Sequence, residues 1–151
     1  LTVDNGASGA SDGHVDTVSV IDMEASPPRV IDKVVVGDAP EGLAISPDGK
    51  TAIAVMLKGS AAIPKNAWFR HDRGSVVALR IDGKKVTRGE EVKVGRLPEG
   101  AVFSADGNRL YVGNYVDSTV SILKLEGGRI SDTGRVLALP GRPAAMRASR
   151  P

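Results

Sequence analysis

A chain of 151 residues with 41% hydrophobic and 25% charged side chains has the composition of one ordinary globular domain, which argues against overall disorder. Its net charge of +2 comes from no basic block, and one Trp, two Tyr and two Phe leave little to stack on bases, so nucleic-acid partners are disfavoured. The absence of cysteine removes disulfides, thiolate catalysis and Cys-based metal sites. No apolar run approaches membrane-spanning length. No signal peptide is read, and a chain opening on Leu1 reads as a processed product or a piece of a longer protein.

Taken in order, Leu1-Thr2-Val3 is a short apolar start, and residues 4–13 form a turn-rich loop of small residues. Asp16 to Asp22 alternates β-branched and polar side chains, the period of a half-buried strand. Ser26-Pro27-Pro28 breaks the chain before a second strand, Val30 to Val36. Gly42 to Ser46 predicts a short crowded strand and Thr51 to Leu57 its return, with Pro47-Asp48-Gly49 turning between them. Lys58 to Arg73 interrupts this rhythm. Strands follow at Ser75 to Asp82, at Lys85 to Val94 with a bulge or bend expected at Arg88-Gly89-Glu90, and at Ala101 to Ser104. Arg109 to Asn114, Thr119 to Glu126 and Arg129 to Leu139 complete the series. No segment carries a helical period. The fold class is all-β.

One stretch is used twice without a gap: Gly37 to Lys50 returns as Gly95 to Asn108, with identical Gly, Pro, Glu, Gly, Ser, Asp and Gly positions. A worn third copy runs from Gly141 to Ser149. The motif prolines Pro40, Pro98 and Pro143 lie 58 and 45 residues apart. A period of roughly 40–45 residues with four short strands is that of a β-propeller blade, and the longer spacing is one period plus the insertion.

The residues Arg109-Leu110-Tyr111-Val112-Gly113-Asn114, then Asp117 to Ile122, together with Pro40 to Lys50 and Asp16 to Asp22, resemble the YVTN-type β-propeller repeat. The likeness extends to lactonase-like and surface-layer-type seven-bladed propellers. It covers nearly the whole chain apart from the insertion and the first loop. It implies four-stranded antiparallel blades with the motif strand innermost. The expected division is a part-blade at 1–36, a blade at 37–94 carrying the insertion 58–73, a blade at 95–139, and the first strand of a further blade at 141–149. About three blades' worth makes a partial propeller. Its ring is expected to be completed by the remaining blades of a larger protein or by copies associating head to tail. The resemblance also implies a periplasmic or extracellular location, without excluding the cytoplasm.

The functional expectation is a binding or interaction module that engages a protein or small molecule at the channel mouth and the insertion, with no cofactor. The alternatives are a lactonase-like hydrolase using channel-mouth carboxylates and a propeller subunit of a redox system. Glu41 and Glu99 start the innermost strands, where they would bind a polar ligand or serve as acid and base, or simply cap the Pro-x-Gly bend. Arg96, with Arg29, Arg109 and Arg142, would add positive charge at a mouth, or be ordinary surface charge. Trp68, Phe69, Arg70 and His71 gather apolar area, a fork donor and a titratable ring in the insertion, either as a recognition surface or as a lid packed on the channel. His14 and His71 are too few for a haem or zinc site. Asp4, Asp12, Asp16 and Asp22 offer oxygen ligands to calcium without an EF-hand spacing. Ser8, Ser11 and Ser60 lack the context of a catalytic serine.

Overall fold

In the computed structural model, which describes residues 1–6, 9–61 and 63–148, the two-residue alternation becomes eleven strands among the described residues. They are β1 (Thr2–Asp4), β2 (Asp16–Asp22), β3 (Arg29–Gly37), β4 (Pro40–Ile45), β5 (Thr51–Met56), β6 (Ser75–Asp82), β7 (Lys85–Lys93), β8 (Pro98–Phe103), β9 (Arg109–Asn114), β10 (Thr119–Glu126) and β11 (Arg129–Ala138). They form three antiparallel sheets, ordered β1-β2-β3, β4-β5-β6-β7 and β8-β9-β10-β11. The chain is all-β and a partial propeller.

The sheets stack through side chains that alternate along each strand. Ile53 and Val55 of β5 pack with Val76, Ala78 and Val94 against Phe103, Leu110, Val112 and Leu123 of the third sheet. From the same strand, Ala52, Ala54 and Met56 point the other way, with Val77 and Leu79, onto Val18 and Val20 of the first sheet. Every residue of β5 is therefore buried, as a strand packed on both faces must be. Full burial of a side chain such as Ile53 stabilises by about 1.5–3 kcal/mol. By contrast β3, β7 and β11, at the edges of their sheets, are largely exposed.

The repeated stretch builds the same hairpin twice. The Ser46 hydroxyl donates to Asp48 at 2.6 Å and accepts the Thr51 amide at 3.0 Å, while Gly49 turns with φ of 71°. Ser104, Asp106, Arg109 and Gly107 repeat each contact, and Gly107 turns with φ of 73°. The hydroxyl bond from Ser46, with the Lys50 amide, holds the Asp48 carboxyl below the usual range, and Ser104 does the same for Asp106. The bulge expected near Gly89 is present, since pairing slips between Val77 and Leu79 opposite Glu91 and Arg88.

Most strands fall within a residue of the sequence reading, but two start well before it. β4 and β8 begin two and three residues earlier, at the motif prolines, because pairing resumes beyond a bulge: Pro40 lies opposite Met56 and Pro98 opposite Asn114. Residues 141–148 of the third copy form no strand, because no ladder pairs with them. They nonetheless lie along β8. A Cβ placed on Gly100 would sit 2.8 Å from the Met146 nitrogen, just as one on Gly42 would sit 2.6 Å from the Glu99 carbonyl oxygen. Ser149, which ends that copy, and Ser8 lie outside the described residues. No helix is present among the described residues, and so none long and apolar enough to cross a membrane.

Candidate functional site

Antiparallel connectivity sorts the loops onto two faces. The hairpin turns at 46–50, 83–84, 104–108 and 127–128 fall on one face, and the bends before Pro40 and Pro98, loop residues 5–6 and 9–15, and the described residues of the insertion on the other. Glu41 and Glu99 therefore share a face with the insertion.

Each glutamate is the extra residue of a β-bulge. Pairing steps from Pro40–Met56 to Gly42–Val55 and from Pro98–Asn114 to Gly100–Gly113, leaving Glu41 and Glu99 without partners on the neighbouring strand. A bulge redirects a side chain out of the regular pleat, a device common beside active sites. The glycine after each glutamate lets the next inner strand approach, so β4 and β8 lie side by side at the bulges. Among the described residues neither carboxylate accepts a hydrogen bond, so neither caps its own bend. Glu99 is half-buried, Glu41 exposed. Desolvation, and then the Glu41 charge, pushes the Glu99 carboxyl above the ordinary glutamate value. The third copy carries Ala144 at this position, so within this chain the carboxylates are a pair.

Arg96 is turned elsewhere. Its backbone amide and its Nε both donate to Asp117, each at 2.7 Å. Arg142 lies over the Tyr115 ring, 5.4 Å from the centroid. Arg29 and Arg109 start strands at the opposite, hairpin face. The expected arginine cluster at one mouth therefore divides between two faces, which strand parity makes unavoidable.

In the insertion, Trp68 and Phe69 meet edge to face at 5.5 Å, and the Trp68 ring lies on Gly13, where an added Cβ would be 2.5 Å away. Trp68 thus rests on the first loop, although 78% of its surface stays exposed. Arg70 donates to the Ile63 carbonyl at 3.3 Å. With His71, Asp72, Arg73, Lys58 and Lys93 it lines a cleft of about 320 Å³ that includes neither glutamate. A wider cleft of about 790 Å³ opens on the hairpin face among the 46–51 and 106–108 turns. Of its acids, Asp48 and Asp106 are committed to those turns and Glu126 is paired with Lys124 at 2.7 Å.

The aspartates considered for calcium each have separate work. Asp4 accepts from Thr17 and Ser19, Asp16 from the Gly6 and Ala39 amides, Asp12 from the His14 amide, and Asp22 from Lys84. Among the described residues no group of three or more His, Asp or Glu converges as a metal site. His14 is exposed in the first loop.

The sequence reading gave three residues no part in holding the bends and the insertion. Asn114 is buried, accepting the Gly95 amide at 2.8 Å and donating to Thr119 and Ser121. Ser60 and Ser11 are buried at the root of the insertion, where Ser60 accepts the Leu97 amide at 2.9 Å and Ser11 the Gly59 amide at 2.6 Å. The Pro40 and Pro98 spacing marks the two bends, but nothing in the sequence signals which side chain holds them.

No family model matches the sequence, and no curated protein matches it. Solved structures do match the fold. The periplasmic gluconolactonase PpgL of Pseudomonas aeruginosa is similar at 21% identity and a TM-score of 0.60, over 89% of this chain and 37% of that one. A protein from Lactobacillus plantarum is similar at 18% identity and a TM-score of 0.57, over 90% of this chain and 36% of that one. The chain spans a little over a third of the length of these structures. Over most of its length it shares their propeller fold. The likeness goes against the expectation of a binding or interaction module, since the matching architecture is one that a gluconolactonase carries.

Proposed function

We propose that this chain is part of a lactonase-like propeller hydrolase acting on a sugar lactone, with Glu41 and Glu99 as its acid–base pair. The observation that carries the reading is the paired bulge. Two carboxylates from neighbouring inner strands stand unpaired on one face, and one is pushed upward by burial and by the other's charge. Two carboxyls with unlike environments are what acid–base hydrolysis needs.

In this reading a water oxygen attacks the lactone carbonyl carbon while the exposed Glu41 carboxylate takes its proton. As the bond from the carbonyl carbon to the ring oxygen breaks, Glu99 gives its proton to that oxygen. Lactone and water become one hydroxy acid, and a proton passed from Glu41 to Glu99 restores the pair. The likeness to PpgL supports a periplasmic location, and the Pro-x-Gly motif strands support a repeat of the YVTN type. The channel would be completed by further blades of a longer protein or by other copies of the chain.

The test is hydrolysis of gluconolactone by the complete propeller, followed by pH-stat above the spontaneous rate. Glu99→Gln should lower kcat by roughly 10²–10⁴-fold, the usual worth of a positioned acid. Turnover unchanged in both Glu99→Gln and Glu41→Gln would overturn the assignment.

A further inference from the structure

The bend that carries each glutamate must be held, and the two copies hold it differently. Ala39 and Leu97 precede the motif prolines at φ of 54° and 47°, a left-handed conformation that a side chain disfavours. Their carbonyls accept equivalent bonds, from Leu57 at 2.9 Å and Tyr115 at 3.0 Å. Their amides do not share a partner type. The Ala39 amide donates to the Asp16 carboxylate at 3.0 Å, whereas the Leu97 amide donates to the Ser60 hydroxyl at 2.9 Å.

Ser60 is 4% exposed and is itself fixed by donating to the Leu57 carbonyl at 2.7 Å. The next residue but one after Leu97 is the bulged Glu99. Resting on the acid–base reading above, we propose that Ser60 is a positioning residue for Glu99, acting through the Leu97 amide. The insertion thus has a structural task at its root: it delivers a hydroxyl to the second bend where the first bend uses an acid. Without the hydroxyl the part-buried Leu97 amide loses its acceptor, at a bend already in a disfavoured conformation.

The experiment uses the complete propeller with ¹³C-labelled glutamate and follows the Glu99 carboxyl by NMR titration beside gluconolactone turnover. In Ser60→Ala the Glu99 midpoint should move down toward the ordinary glutamate value, as the bend loosens and water reaches the carboxyl. With it, kcat should fall about ten- to a hundredfold at nearly constant KM, the scale of a small misplacement. Ser60→Thr, which keeps the hydroxyl, should restore both.

Ser11→Ala frees the Gly59 amide at the same root but leaves the Leu97 bond, and should leave the midpoint in place. A Glu99 midpoint unmoved in Ser60→Ala, or moved equally in Ser11→Ala, overturns the proposal. Should Ser60→Ala not fold, Ser60→Cys offers only a weak sulfur acceptor and is judged by the same midpoint. A moved midpoint together with full turnover in Glu99→Gln would retain the positioning role and reject the catalytic one.

Discussion

Leu97 and Ala39 adopt the same left-handed backbone in the two copies of the repeated stretch, each immediately before a proline and each with its carbonyl bonded to the loop that follows the second strand. A non-glycine residue there carries roughly 1–2 kcal/mol of strain. Replacing Ala39 by Gly relieves that strain while losing a buried methyl and adding unfolded-chain freedom. Ala39→Gly should therefore change stability by less than about 1 kcal/mol. Ala54→Gly, in the fully buried β5, should cost more, since no strain is relieved. Urea denaturation of the two variants compares them directly.

Gly74 is the seat of the second motif proline. A Cβ on it would stand 2.4 Å from Pro98 Cδ and 2.7 Å from the Met56 carbonyl oxygen. Gly74→Ala should destabilise by about 1–3 kcal/mol, the usual cost of overpacking, and should disturb the Pro98–Glu99 bulge. Gly83→Ala meets no atom within 4 Å but sits at φ of 58°, so its smaller penalty is backbone strain alone. Thermal melts of the pair separate the two causes.

The Glu99 carboxyl is raised by burial and by the charge of Glu41. A carboxyl whose folded pKa exceeds its unfolded one binds its proton more tightly in the folded state. Its penalty is therefore absent below the ordinary value near 4.5 and grows as pH rises through the raised one. Glu99→Gln should raise Tm at pH 7, and the gain should vanish below pH of about 4. A Tm difference constant with pH would show that the effect is packing and not charge.

Glu91 behaves in the opposite sense. Burial alone would raise its carboxyl, but hydrogen bonds from Lys58 at 2.6 Å and Ser75 at 2.8 Å, with the Lys58 charge and the Arg88 contact, outweigh that and lower it. The stability it contributes is present above the ordinary glutamate value and is lost as pH falls through the lowered one. Glu91→Gln should destabilise at pH 7 and flatten the acid limb of the Tm profile. It should also loosen the insertion at Lys58, read as faster amide exchange at Gly59 and Ser60.

What was legible in the sequence was whatever is local. The Ser46–Asp48 and Ser104–Asp106 turns span a few residues, so their chemistry is written in consecutive letters, and the strands between them follow from alternation. The bulges at Glu41 and Glu99 were not legible, because a bulge is a mismatch between two strands and only the pairing reveals it. Nor were the partners of the bends: Ser60 reaches Leu97 across 37 residues and Asp16 reaches Ala39 across 23. The arginines misled for a related reason. Arg29 and Arg109 look equivalent to Arg96 and Arg142 until the strands are counted, and an odd number of crossings puts them on the far face.

The close approach of neighbouring inner strands needs no side chain from either partner, only a glycine facing a backbone: Gly42 faces the Glu99 carbonyl, and Gly100 faces Ala145 and Met146. The joint therefore asks for a glycine in one unit and only a backbone in the next, which the first two copies supply and the third, with Ala145, does not. In the worn third copy both positions have changed, Ala144 standing for the glutamate and Ala145 for the glycine, so that unit has lost the charge and the open seat together.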